Sequence, residues 1–121
     1  MSTLYENIGG APAVNAAVDL FYNKISAENS LTTFFKDMNM TQQKSKMKKF
    51  LTLLMTGQAE SSHEYMRNSH KHLVEEGLND HHFDTVGALL KDTMKELNIP
   101  YNFIDQILGA VEDLRDPVLN R

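Results

Sequence analysis

YMRNSHKHLVEEG, at residues 65–77, has an apolar spacing that predicts a short helix. His70 and His72 point to different sides of that helix, because each residue turns the chain by about 100°. His70 shares its side with three apolar residues, Met66, Leu73 and Val74. His72 lies among charged residues. We therefore predict that His70 faces the interior and that His72 faces water.

An inward imidazole has two common explanations, and this stretch alone leaves both open. It is either a core histidine held by one hydrogen bond or an axial ligand to a metal or haem. Residues 57–64, which precede the helix, are polar and predict a loop.

Composition excludes several classes of protein. The 121 residues fit one domain, spanning 1–121. The absence of cysteine excludes a disulfide framework and thiolate metal sites. A net charge of −4 predicts no nucleic-acid partner. No apolar run reaches the length of a membrane span, and MSTLYENIGG at the N-terminus lacks the pattern of a signal peptide, so we expect no membrane partner and a cytoplasmic protein.

Most of the chain is predicted to be helical. Thr41 is the expected N-cap of one long helix, and Pro117 is expected to stop the last. His81 and His82 are expected to be exposed. No segment alternates with a period of two, so we predict an all-α fold. Apolar residues recur every three or four positions in four long segments: 11–26, 41–56, 80–98 and 100–115.

Polar side chains interrupt two otherwise apolar helix faces. Tyr22 lies on the stripe of the first long helix, and Gln43 leads the stripe of the second. A buried phenol or amide needs a hydrogen-bond partner, so each either pairs within the protein or is offered to a ligand. For Tyr22 the pattern alone favours a backbone partner. Of Phe34 and Phe35, one is expected to pack under a helix and the other to face a cavity.

Several motifs follow one another over nearly the whole chain. They are GG at 9–10, FYNKI at 21–25, FFKDMNM at 34–40, Gln43, KKFLTLL at 48–54, MRNSHKHLV at 66–74 and HFDTVGALL at 82–90. In this order they resemble the truncated haemoglobins of group I. The resemblance implies a two-over-two helical sandwich that encloses a haem.

The resemblance also implies a role for individual residues. His70 matches the proximal ligand of the iron of a haem b, and Tyr22 and Gln43 match distal hydrogen-bond donors to bound O₂. Lys46 and Arg67 are expected to reach the haem propionates. The pocket is expected to be lined by Phe35, Met47, Phe50, Leu54, Met66, Leu73, Phe83 and Val86.

Three positions depart from the pattern of the family. Met47 stands where many relatives have a second polar donor, so O₂ is expected to dissociate faster than from a pocket with that donor. Lys46 stands where some relatives have a histidine that binds the iron. Any internal sixth ligand in the ferric state is therefore expected to be weak and pH-dependent, and to be either Lys46 or Tyr22. Leu114 stands where some relatives have a histidine bonded to the haem, so the haem is expected to be non-covalent.

The resemblance favours a protein for oxygen binding, storage or transport that also binds NO and CO, as a monomer or weak dimer. The alternative is a nitric oxide dioxygenase, which needs electrons from a separate reductase. A third hypothesis, without haem, is a helical interaction domain with a surface histidine cluster of His63, His72, His81 and His82. Peroxidase chemistry is disfavoured, because no distal histidine or arginine is evident.

Overall fold

The computed structural model describes residues 3–57 and 63–121. Its helices are α1 (Leu4–Ile8), α2 (Gly10–Ala27), α3 (Asn29–Phe35), α4 (Met40–Met55), α5 (His63–Glu75), α6 (Asp80–Glu96), α7 (Tyr101–Glu112) and α8 (Arg115–Val118). No strand occurs within the two described ranges, and the predicted all-α fold is confirmed.

Asparagine side chains begin two of the long helices. The side chain of Asn39 accepts a hydrogen bond from the Gln42 N–H at 3.0 Å, so α4 begins at Met40. The predicted N-cap at Thr41 is therefore wrong, because Asn39 already satisfies a free amide of the first turn. Asn79 caps α6 in the same way, because its side chain accepts from the N–H groups of His81 and His82.

The boundaries around α5 and α7 differ from the prediction. α5 begins at His63, earlier than expected, and residues 58–62 of the predicted loop lie outside the described residues. α7 ends at Glu112, and Pro117 lies inside α8 instead of stopping the last long helix. Proline fits there because the first turn of a helix does not use its own N–H groups.

Two pairs of helices form the core. α2 packs against α4, α6 packs against α7, and α2 also contacts α6. The helix that carries His70, α5, packs most extensively against α8. Its buried residues Met66 and Leu73 lie outside the main apolar cluster. Fully buried aliphatic side chains at the centre are Val18, Ile25, Leu31, Ile104, Ile107 and Leu114.

Candidate functional site

The structure brings Tyr22 and Gln43 into contact, although they are 21 residues apart. The Gln43 Nε2 group donates to the Tyr22 hydroxyl oxygen at 3.2 Å, so the phenol has an amide partner and not the backbone partner that the pattern alone favoured. Only 4% of Tyr22 is exposed. Because the hydroxyl oxygen accepts this bond, the phenolic proton remains available to donate to another group.

The environment of Tyr22 keeps the phenol protonated at neutral pH. Burial raises the pKa of Tyr22, since the phenolate would lose its hydration, while the bond from Gln43 opposes part of that increase. Neutral Tyr22 is therefore a hydrogen-bond donor, whereas a phenolate could only accept.

The two adjacent phenylalanines face different neighbours. The ring of Phe35 lies edge-on to that of Tyr22, with centroids 6.1 Å apart. Phe34 is buried against the His82 ring, with centroids 4.9 Å apart. His82 is consequently half-buried, and its Nδ1 accepts from the Asn79 N–H, so the prediction of an exposed His82 is wrong; His81 is exposed as predicted.

His70 is half-buried on α5 with its imidazole oriented by the backbone. The Nδ1 atom donates to the Met66 carbonyl oxygen at 2.8 Å, and the Ser69 hydroxyl lies 3.2 Å from the same nitrogen. A carbonyl can only accept, so this bond places the ring proton on Nδ1 and leaves the lone pair of Nε2 for a metal or a donor. His72 is exposed, and the predicted faces of the two histidines are confirmed.

Burial lowers the pKa of His70, because a charged imidazolium would be poorly hydrated at that position. The bond to the Met66 carbonyl opposes this effect, and the neighbouring His72 adds to it. His70 is therefore held as neutral imidazole, which is the form that binds metals.

The remaining predicted site residues fall into groups by burial. Leu54, Met66 and Leu73 are buried. Four are partly buried and pack against the main apolar cluster: Phe35, Met47, Phe50 and Val86. Lys46 is exposed. Phe83 lies under the guanidinium of Arg115, whose central carbon is 4.6 Å from the ring centroid.

Arg67 is engaged with the C-terminal residues. Its Nη1 atom donates to the Arg121 backbone oxygen at 3.1 Å, and its own carbonyl oxygen accepts from Asn120 Nδ2 at 3.0 Å. These contacts were not predicted. The only hint of them in the sequence is the asparagine at position 120. Asn120 takes a left-handed backbone conformation, with φ 58°, which asparagine tolerates better than most residues.

A second unpredicted feature is an ionic cluster near the same residues, here called the C-terminal ionic cluster. Arg115 contacts Asp80, Asp84 and Glu112. Arg121 contacts Asp80 and Asp116. The cluster therefore joins α8 and Arg121 to the start of α6 and the end of α7. Its members are Asp80, Asp84, Glu112, Arg115, Asp116 and Arg121.

Comparison with known proteins places the chain in a family. The profile of the bacterial-like globins matches residues 3–120. A group 1 truncated haemoglobin from Synechocystis sp. is 42% identical over 125 residues, which cover 100% of both chains. The chain belongs to the group 1 truncated haemoglobins. Another member, from Chlamydomonas moewusii, is 39% identical over 98% of this chain and 68% of its own length.

Solved structures of truncated haemoglobins share the fold. The 2/2 haemoglobin from Synechococcus sp. PCC 7002, in a cyanomet state with covalently attached haem, is 37% identical, with a TM-score of 0.90 over 99% of this chain and 100% of its own. The Fe(III) form of the truncated haemoglobin from Tetrahymena pyriformis is 32% identical, with a TM-score of 0.84 and 98% of both chains covered. The predicted two-over-two sandwich is confirmed. In the described ranges, no helix has the length and apolar character needed to cross a membrane.

Proposed function

We propose that this truncated haemoglobin holds a non-covalent haem b through His70 and binds O₂ reversibly, together with NO and CO. The observation that carries the proposal is the bond from Gln43 to Tyr22, which leaves a buried phenolic proton free to donate. Buried polar groups normally have hydrogen-bond partners, so a buried phenolic proton that remains free fits an acceptor supplied by a ligand.

The donor set around His70 fits a haem better than a bare metal ion. Within residues 3–57 and 63–121, no group of three or more histidine, cysteine, aspartate or glutamate side chains is arranged to hold a metal. A single imidazole with a free Nε2 therefore suits an iron whose other ligands come from a macrocycle. The partly buried apolar set of Phe35, Met47, Phe50 and Val86 provides surface of the kind that a flat apolar ring packs against.

The side chain of Leu114 supports non-covalent binding. It is 2% exposed in the core and is aliphatic, so it offers no nucleophile to a haem vinyl group. Exposed Lys46 is the stronger candidate for a propionate partner, because Arg67 already donates to the Arg121 backbone oxygen. An ammonium group can form a charge-assisted hydrogen bond to a carboxylate.

When bound, haem supplies a coordination position for a diatomic gas. Tyr22 would then donate a hydrogen bond from its phenolic O–H to a bound gas, and Gln43 has a second amide N–H beyond the one that it donates to Tyr22. Each such bond stabilises the bound state by about 1 kcal/mol. Met47 adds no donor, because a thioether accepts only weakly. Release of O₂ should therefore be slowed by Tyr22 and Gln43 alone.

For the ferric state, the burial of Tyr22 argues against this residue as an internal sixth ligand. Burial raises the pKa of Tyr22, which disfavours the phenolate that would bind ferric iron. Exposed Lys46 must lose its proton before it can bind, so its ligation should strengthen with increasing pH.

Optical spectra of the ferric, dithionite-reduced and CO-bound protein test the proposal, with His70→Ala as the variant. The wild type should show a strong haem absorption that His70→Ala loses or changes. His72→Ala is the matched control, since His72 is an exposed histidine on the same helix. A wild-type spectrum without haem absorption, or one unchanged by His70→Ala, would contradict the proposal.

The alternative, a nitric oxide dioxygenase, uses the same Tyr22 and Gln43 to orient O₂. It differs in needing repeated reduction by a partner reductase. The reduced protein should then consume NO in the presence of O₂ and an external reductant, with nitrate as the product. Consumption that stops after one equivalent of NO would favour the binding function.

A further inference from the structure

Two residues at the C-terminal end, Asn120 and Arg121, form hydrogen bonds with Arg67 on α5, near His70. Asn120 Nδ2 donates to the Arg67 carbonyl oxygen at 3.0 Å, across a separation of 53 residues. Arg67 Nη1 donates in return to the Arg121 backbone oxygen at 3.1 Å. Two reciprocal hydrogen bonds therefore fix one turn of α5 against the segment that follows α8.

The fixed peptide adjoins the group that orients the imidazole. His70 Nδ1 donates to the carbonyl oxygen of Met66, the residue immediately before Arg67. Consecutive carbonyls of an α-helix point along its axis as part of one rigid turn. A tilt of the Arg67 peptide therefore changes the direction of the Met66 carbonyl, and the His70 ring follows the carbonyl to which it is bonded.

Asn120 is itself held firmly enough to serve as an anchor. It follows Leu119, which is 4% exposed. It precedes Arg121, whose guanidinium binds Asp80 at 2.8 Å and Asp116 at 3.2 Å. The anchor is thereby tied to α6 and α8, so it does not simply move with α5.

We propose that Asn120 is a positioning residue for His70, whose side-chain amide fixes the Arg67 peptide and through it the orientation of the imidazole. The inference rests on the proposed function, since the orientation of the ring matters when Nε2 holds the haem iron. It also assigns Arg67 to the contact between α5 and the C-terminal residues.

The test compares Asn120→Gly with Asn98→Gly. Both asparagines have a left-handed backbone, with φ 58° and 59°, and glycine adopts that conformation without strain. The first variant removes the amide that binds α5, whereas the second makes the same change after the end of α6.

Hydrogen exchange is measured on the full chain without and with added haem. The iron–histidine stretching band is recorded by resonance Raman on the reduced, haem-loaded protein.

We expect α5 amides near His70 to exchange roughly fivefold faster in Asn120→Gly, the factor for losing one ordinary hydrogen bond, with α2 amides unchanged. The iron–histidine band should shift or broaden in this variant only. Asn98→Gly should match the wild type in both measurements within α5.

Equal behaviour of the two variants would overturn the inference, as would a faster exchange of Asn120→Gly spread evenly over all helices. An unchanged iron–histidine band would also overturn it, since a purely structural role for Asn120 predicts that result. If the wild type takes up no haem, the proposed function fails, while the exchange of the haem-free chain still decides whether Asn120 holds the Arg67 peptide.

Discussion

The hydroxyl of Tyr22 is the group on which the ligand chemistry should depend most. Its oxygen accepts from Gln43, and its proton is free to donate to a bound gas. Tyr22→Phe keeps the ring against Phe35 and removes that proton, so O₂ should dissociate roughly five to ten times faster, as expected for one lost hydrogen bond. Stopped-flow displacement of O₂ by CO measures the rate.

Tyr101→Phe is the matched control at this scale, because the Tyr101 ring on α7 is 62% exposed. It should release O₂ at the wild-type rate. An unchanged rate in Tyr22→Phe would show that its hydroxyl does not contact the ligand.

At the level of single residues, sequence patterns predicted which way a side chain faces better than they predicted its contact partner. The inward position of Tyr22 followed from the spacing of its apolar neighbours, since helical periodicity decides which side of a helix is buried. Its bond to Gln43 depends on how α2 crosses α4, and neither helix encodes that alone. Likewise, the Phe34–Phe35 pair predicted one buried and one cavity-facing ring without showing which ring meets Tyr22.

At the level of helices, the N-cap of α4 offers a test of which polar residue begins the helix. Asn39 accepts from the Gln42 N–H, whereas Thr41 lies inside the first turn. Asn39→Ala should lower the free energy of unfolding by about 1 kcal/mol, because an amide of the first turn loses its acceptor. Urea denaturation measures the change. Thr41→Ala should cost less than about 0.5 kcal/mol as an exposed substitution, and a larger loss there would contradict the assignment.

Long helices were predictable and the four-residue α8 was not, for a physical reason. α2, α4, α6 and α7 each repeat their apolar spacing over several turns, which is enough to distinguish a helix from a strand. α8 contains four residues, Arg115–Val118, too few to show a period. Its Pro117 therefore indicated an end to α7, although proline is tolerated within the first turn of a new helix.

At the level of the whole molecule, the position of α5 was the least predictable feature. α5 packs against α8, and Arg115 and Arg121 reach Asp80 across 35 and 41 residues of sequence. Scattered acidic and basic residues normally indicate a solvated surface, so sequence alone gave no reason to pair these. The family resemblance predicted the two-over-two sandwich, because its motifs are spread over the chain, but it did not include the C-terminal ionic cluster.

The C-terminal ionic cluster should make stability depend on pH in the acid range. The hydrogen bonds from Arg121 and Arg115 hold the pKa of Asp80 below its usual value, and that from Arg115 does the same for Glu112. A carboxyl group with a lowered pKa in the folded state stabilises the protein above its unfolded pKa, and this contribution is lost as the pH falls through the folded pKa. Asp80→Asn should therefore unfold at lower urea than the wild type at about pH 7. The difference should shrink as the pH falls below the ordinary pKa of an aspartate and through the lowered pKa of folded Asp80, because the wild-type carboxyl then also becomes neutral. Asp92→Asn, an exposed carboxylate on α6 outside the cluster, should match the wild type throughout this pH range. A difference for Asp80→Asn that stays constant with pH would mean that its effect comes from helix capping or packing and not from the charge.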